Sequence, residues 1–169
     1  MKPHLLVVQL KFVRSEFVRC LEGVSDEEAR KRFMPMNCIS WMIAHLADQE
    51  NRYWNQRARG LSIHPELNDL AGFKKPASTP PLMDMWKAWR EVTMTADEFL
   101  DTLTPDIMET RFIWEGRPVK EKVGTMLLRN IYHYWFHTGE AYAIRQMLGH
   151  RDLPTFVGRM TKVEYFREQ

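Results

Sequence analysis

Four stretches of this 169-residue chain repeat apolar residues every three or four positions, a period that demands helices burying one face against one another. The first stripe runs Leu6, Leu10, Val13, Phe17, Leu21 and Val24, with Pro3 acceptable in a first turn and Gly23 near the end. The second begins after Asn37, a candidate N-cap, and carries Trp41, His45, Asp48 and Arg52 along one face before Gly60 stops it. Thr79 followed by Pro80 and Pro81 opens a third, with Met85, Trp89, Val92, Ala96, Phe99 and Leu103 on its apolar side. The fourth ends at Leu148, with Gly149 in position to close it. The spacing predicts helices over about residues 3–23, 38–59, 80–103 and 118–148, followed by a tail over 149–169. Phe112 and Trp114 around a Glu-Gly turn suggest an extended segment or short hairpin, and no convincing pair of long strands is present. The fold class is therefore all-α, a four-helix bundle in one domain spanning 1–169, with a long loop, 61–80, between helices two and three. A structureless loop of that length in a compact domain suggests a functional role.

Charge and composition exclude several function classes. The formal net charge is +2, and the basic runs Arg30–Arg32 and Lys74–Lys75 are short, so there is no footprint for nucleic acid. No segment approaches the roughly 20 apolar residues that span a bilayer, and Lys11, Arg14 and Glu16 interrupt the N-terminal apolar run before a signal sequence could form. The expectation is a cytoplasmic protein without membrane contact. Cys20 and Cys38 make no CxxC pattern and are expected to be free thiols, Cys38 as a buried residue two turns from His45.

Chemistry concentrates in "NIYHYWFHTGE", residues 130–140, where His133 and His137 stand four apart. Positions four apart on an α-helix differ by about 40° in azimuth and one turn in height, so both imidazoles can point at one centre. Asn130, Ala141 and Ile144 share that stripe, which places it toward the bundle interior. An isolated HxxxH pair on an amphipathic helix reads first as two partly buried histidines satisfied by hydrogen bonds. His45, on the inward stripe of helix two between Trp41 and Asp48, offers a third imidazole, and ligands from two facing helices are how metal sites are built into bundle cores. His4, His64 and His150 lie at a helix start, in the Pro-rich loop and after the last helix, and call for no functional reading.

The segments "NCISWMIAHLADQENRYW", "LLRNIYHYWFHTGEAYAIRQMLG" and "LPTFVG" resemble the DinB family, also called DinB/YfiT-like, and the likeness extends over essentially the whole chain, including the long loop. The resemblance implies a four-helix bundle, often a homodimer, in which His45, His133 and His137 ligate a divalent metal, zinc or nickel most commonly. It further implies a thiol-dependent S-transferase that uses a low-molecular-weight thiol on an electrophilic small-molecule substrate. Three neutral nitrogens suit zinc, nickel, copper or ferrous iron better than magnesium or calcium, and three protein ligands leave a position open. A thiolate or a hydroxide generated there makes either a transferase or a hydrolase; a non-catalytic dimer, metal-stapled or metal-free, is the remaining alternative.

No residue is assigned as the catalytic acid, base or nucleophile. Trp41, Asp48, Arg52, Asn130 and Glu140 are candidates for orienting the imidazoles or lining a pocket, although Asp48 and Arg52 equally form an ordinary i, i+4 ion pair and Asn130 equally serves a helix-helix hydrogen bond. Tyr53, Trp54, Trp86, Trp89, Trp114, Tyr132 and Trp135 are expected in the core or a dimer interface, with a subset lining a substrate pocket.

Overall fold

The computed structural model describes residues 3–163. Four long helices form the bundle: α1 (Leu5–Cys20), α3 (Ile39–Glu50), α5 (Leu82–Leu100) and α7 (Val123–Met147). Between them lie three short helices, α2 (Asp26–Arg30), α4 (Glu66–Ala71) and α6 (Pro105–Met108), and a hairpin of β1 (Ile113–Trp114) and β2 (Arg117–Pro118). α1 packs on α7, α7 on α3 and α3 on α5. Among the described residues no helix is long and apolar enough to cross a membrane.

Several boundaries differ from the sequence expectation, each for a local reason. α7 starts at Val123 rather than 118, because Arg117 and Pro118 are used in the hairpin, where Pro118 pairs with Ile113 and Arg117 with Trp114. The N-cap of α3 is Cys38, one residue after Asn37. Ser25 and Glu28 form a capping box that nucleates α2, a signal present in the sequence and not used in the expectation. The 61–80 loop is not structureless, since α4 occupies its middle and buries Leu67 and Ala71 against α3. Residues 164–169 of the expected tail lie outside the described residues.

α3 runs on without a break into a π-helical segment, Asn51–Arg57. Wider π turns are rare and tend to mark functional sites, because they displace the residues beyond them from the α-helical register. Here the segment sets the direction of Arg52, Tyr53, Trp54 and Arg57.

Every residue of α3 is buried, including His45, Asp48, Gln49 and Glu50. A buried polar group without a partner costs about 1–3 kcal/mol, so each of these dictates what stands opposite it. Glu50 takes two bonds from Arg14 of α1, one of them from Nε at 2.8 Å, and a third from the Tyr134 hydroxyl of α7 at 2.6 Å. Trp89 of α5 donates its Nε1–H to the Tyr134 oxygen at 2.7 Å, and Arg14 also reaches Asp97 of α5 at 2.6 Å. One connected network thus ties all four long helices. Burial by itself would lower the Arg14 pKa; the Glu50 carboxylate outweighs it and holds the guanidinium charged. Burial, and then the charge of Glu50, pushes the Tyr134 phenol well above its ordinary range, which keeps it a donor.

Arg14→Met strands Glu50 in the core and is expected to cost about 3–5 kcal/mol in urea unfolding. Lys11→Met, which removes an exposed ion pair to Asp97 and Asp101, should cost less than about 1 kcal/mol. Equal losses in the two variants would show that the buried network does not hold the bundle together.

Candidate metal centre

The inward stripes of α3 and α7 bring His45, His133 and His137 into one cluster, with one ring nitrogen from each lying within 4.8 Å of the other two. The rings meet edge to face, with centroids 4.6 Å apart for His133 and His137, 4.9 Å for His45 and His133, and 5.3 Å for His45 and His137. His45 and His137 are buried and His133 is half-buried.

What each Nδ1 does decides what each Nε2 can do. His45 Nδ1 lies 2.6 Å from the carbonyl oxygen of Ala71, which can only accept, so Nδ1 carries the proton and Nε2 is a bare lone pair. That carbonyl belongs to the last turn of α4, where the helix itself leaves it unsatisfied. The chain turns away immediately at Gly72, where a Cβ would sit 2.3 Å from the Asn68 carbonyl oxygen, so a side chain there would displace the very end that holds His45. His137 Nδ1 lies 2.6 Å from a carboxylate oxygen of Glu140, again an acceptor.

His133 is set by a longer chain of bonds. Its Nδ1 is 2.9 Å from Gln49 Oε1, which also accepts from Asn130 Nδ2 at 2.9 Å, while Asn130 Oδ1 accepts from Trp54 Nε1–H at 2.8 Å. Amides can reverse, but indole nitrogen only donates. Trp54 therefore fixes Asn130, Asn130 fixes Gln49, and Gln49 fixes the proton on His133 Nδ1. The His133 and His137 Nε2 atoms then face each other at 3.0 Å. Two bare nitrogens at that distance repel each other unless a cation stands between them. Tetrahedral ligands 2.0–2.1 Å from zinc stand about 3.3 Å apart, inside the spread of the three nitrogens.

Burial disfavours the charged form of two of the donors. Burial, reinforced by the neighbouring His137 and His45, pushes the His133 pKa down to about 3. Burial also lowers that of His45, against the opposing bond to Ala71. Trp41 stacks on His45 with centroids 4.5 Å apart, and its Nε1–H is buried without a hydrogen-bond partner among the described residues. An orphaned donor on a ring stacked against one of the three imidazoles suits a centre that receives a further ligand from outside the chain.

Of the other candidates, Glu140 bonds the His137 imidazole directly and Asn130 acts on His133 through Gln49. Asp48 is buried and takes Arg52 Nε at 2.9 Å. The sequence reading missed Gln49, Trp54 and the Ala71 carbonyl. Gln49 lies one turn beyond His45 and so was findable by spacing, whereas a main-chain carbonyl carries no side-chain signal. Neither cysteine joins the cluster. Cys38 is buried, with Sγ 3.2 Å from Ser40 Oγ, and burial pushes the Cys20 thiol up to about 11.

A cavity of about 1090 Å³ opens beside His45, Gln49 and His133. The π-helical segment supplies Arg52, Tyr53 and Arg57 to it, the hairpin Trp114 and Arg117, and α7 Arg129 and Tyr132. Trp54, Trp86 and Trp89 pack into the core as expected of them, while Trp135 is half-buried, edge-on to Phe12 at 6.3 Å.

Residues 9–141 match the family model described as the DinB superfamily. Among solved structures, a conserved protein from Enterococcus faecalis superposes with a TM-score of 0.65 at 15% identity, covering 89% of this chain and 99% of that one. Likeness at that identity speaks to the fold alone. No curated protein matches the chain.

The bonding pattern fixes an observable in metal-free protein at neutral pH. Long-range proton–nitrogen correlations of the imidazoles should show His45 and His133 protonated on Nδ1 and bare on Nε2. In Trp54→Phe the His133 signal should become a mixture of tautomers while His45 keeps its pattern; an unchanged His133 in that variant would disprove the Trp54 control of the site.

Proposed function

The chain belongs to the DinB superfamily, and from that membership and the histidine geometry we propose that it is a divalent-metal-dependent enzyme that transfers a low-molecular-weight thiol to an electrophilic small molecule. The ion is held by His45, His133 and His137, with zinc or nickel favoured by an all-nitrogen donor set. The observation that carries this reading is the convergence of three Nε2 atoms whose Nδ1 partners are each committed to a separate acceptor, at the edge of a large cavity. Such outer partners orient metal-binding imidazoles and raise their basicity, and losing one typically costs 10–100-fold in affinity.

A divalent ion at this position supplies Lewis acidity that lowers the pKa of a thiol or water bound to it. The chain's own groups do the rest. Ala71, Gln49 and Glu140 hold the imidazole planes, so no ring has to reorient when substrate arrives. The Trp41 N–H stands as a donor for a ligand in the centre, and the cavity beside His45 and His133 gives that ligand an entrance. The chain brings no thiol of its own to the centre, since Cys20 is buried with a raised pKa and Cys38 is buried at the start of α3, outside the histidine cluster. A transferred sulfur therefore comes from a separate small molecule. A purely structural metal would want a fourth protein ligand and a closed surround, and the cavity argues for an open site.

Elemental mass spectrometry on protein purified without a polyhistidine tag should find one equivalent of zinc or nickel in wild type and less than about a tenth of that in His45→Ala or His137→Ala. Wild-type metal content in either variant refutes the three-histidine site. Given the metal, the loaded protein should accelerate conjugation of small thiols to a panel of electrophiles, and His137→Ala should abolish that acceleration.

A further inference from the structure

The cavity next to the histidines has an electrical character of its own. Five cationic side chains line it, Arg52, Arg57, Arg117, Lys120 and Arg129, against one carboxylate, Glu121. That local excess is larger than the +2 of the whole chain, so positive charge is concentrated here and the rest of the molecule is net acidic. Two of the five are occupied: Arg129 forks onto Glu121, and Arg52 takes Asp48. Arg57 stands 5.3 Å from the Tyr53 ring centroid, and neither it, Arg117 nor Lys120 makes an ion pair among the described residues. A cleft walled by one sign of charge concentrates field lines and ligands of the opposite sign, and guanidinium forks match carboxylate and phosphate oxygens.

Apolar groups complete the lining. Phe73, Trp114 and Tyr132 face the same cavity and remain 72%, 39% and 65% exposed, which is unusual for large aromatic side chains clustered at one opening. They come from three separate elements, the 61–80 loop, β1 and α7, so their convergence is a product of the fold. A bare anion would use the cations and leave these rings in water. The volume, about 1090 Å³, likewise suits a drug-sized molecule.

We propose that this cavity binds the acceptor substrate, and that the acceptor is a small organic anion, a carboxylate or phosphate carried on a flat apolar body. The identification of the ligand as the acceptor rests on the metal-enzyme reading above; the binding itself does not. Arg117 and Lys120 take the anion, and Phe73, Trp114 and Tyr132 flank the apolar body, with the far end directed to the His45 and His133 side of the cavity.

Isothermal titration on the metal-free full-length protein tests this with 2-naphthoate, 2-naphthyl phosphate, uncharged 2-naphthamide and acetate. At least one of the two naphthyl anions should bind about tenfold more tightly than the amide and more tightly than acetate, and the tighter of the two names the anion class. In Arg117→Gln/Lys120→Gln, whose positions are exposed and unpaired, circular dichroism should be unchanged and the preference should drop below about threefold. Lys87→Gln/Arg90→Gln removes the same charge from exposed positions on α5 outside the cavity and should leave the preference intact. Equal binding of the naphthyl anions and the amide, acetate as tight as the naphthyl anions, or a preference that survives the first double variant would each overturn the proposal. Metal content is measured separately, so anion preference without bound metal would sink the enzyme reading alone, and bound metal without the preference would sink this one alone.

Discussion

The buried pairing of Arg14 with Glu50 is the interaction on which the other contacts of the bundle depend. Removing two charges from water is costly, and the attraction between them repays it only when every remaining lone pair and proton is also satisfied. Tyr134, Trp89 and Asp97 supply those remaining bonds, and they come from the two helices that Arg14 and Glu50 do not occupy. Apolar packing tolerates a helix sliding or rotating by a fraction of a turn, whereas this network has one arrangement. It therefore sets the rotation of α1, α3, α5 and α7 about their own axes.

That registry fixes the histidine cluster as a consequence. Gln49 precedes Glu50 and His133 precedes Tyr134, so the bond between Gln49 and His133 lies one residue away, on both helices, from the bond between Glu50 and Tyr134. The two bonds run between the same pair of helices at the same level. Once Glu50 and Tyr134 meet in the core, their neighbours must meet at its edge, where the cavity begins. The π-helical segment follows directly, which lets Trp54 turn inward to Asn130 while Arg52 and Arg57 reach the cavity.

The bundle was legible in the sequence because its signal is periodic: stripes such as Leu6, Leu10, Val13 and Phe17 have no other economical burial. The clustering of His45 with His133 and His137 was legible for the same reason, since the inward stripe of a helix must share its space with the inward stripes of its neighbours. Pro118 misled, because a proline suits the first turn of a helix and the end of a short strand alike, and only pairing with Ile113 separates the two. The π-helical turn left no mark that a 3.6-residue period could register. Ala71 contributes only its main chain to the site, so its role depends on where α4 ends, which in turn depends on the missing side chain of Gly72. The pairing of Arg14 with Glu50 left no mark in the sequence, because two charged residues 36 positions apart carry no spacing signal and charged residues are mostly exposed.

Two sets of buried polar groups lie in the core. Arg14, Glu50, Tyr134 and Trp89 are joined in one set of bonds, and Trp54, Asn130, Gln49 and His133 in another, side by side across α3 and α7. The first set ends in an ion pair whose charges cancel. The second ends in imidazole nitrogens whose lone pairs meet nothing of opposite charge among the described residues. Three imidazole nitrogens that converge at the edge of a cavity, with the unpartnered Trp41 indole stacked on one of the rings, suit completion by something outside the polypeptide.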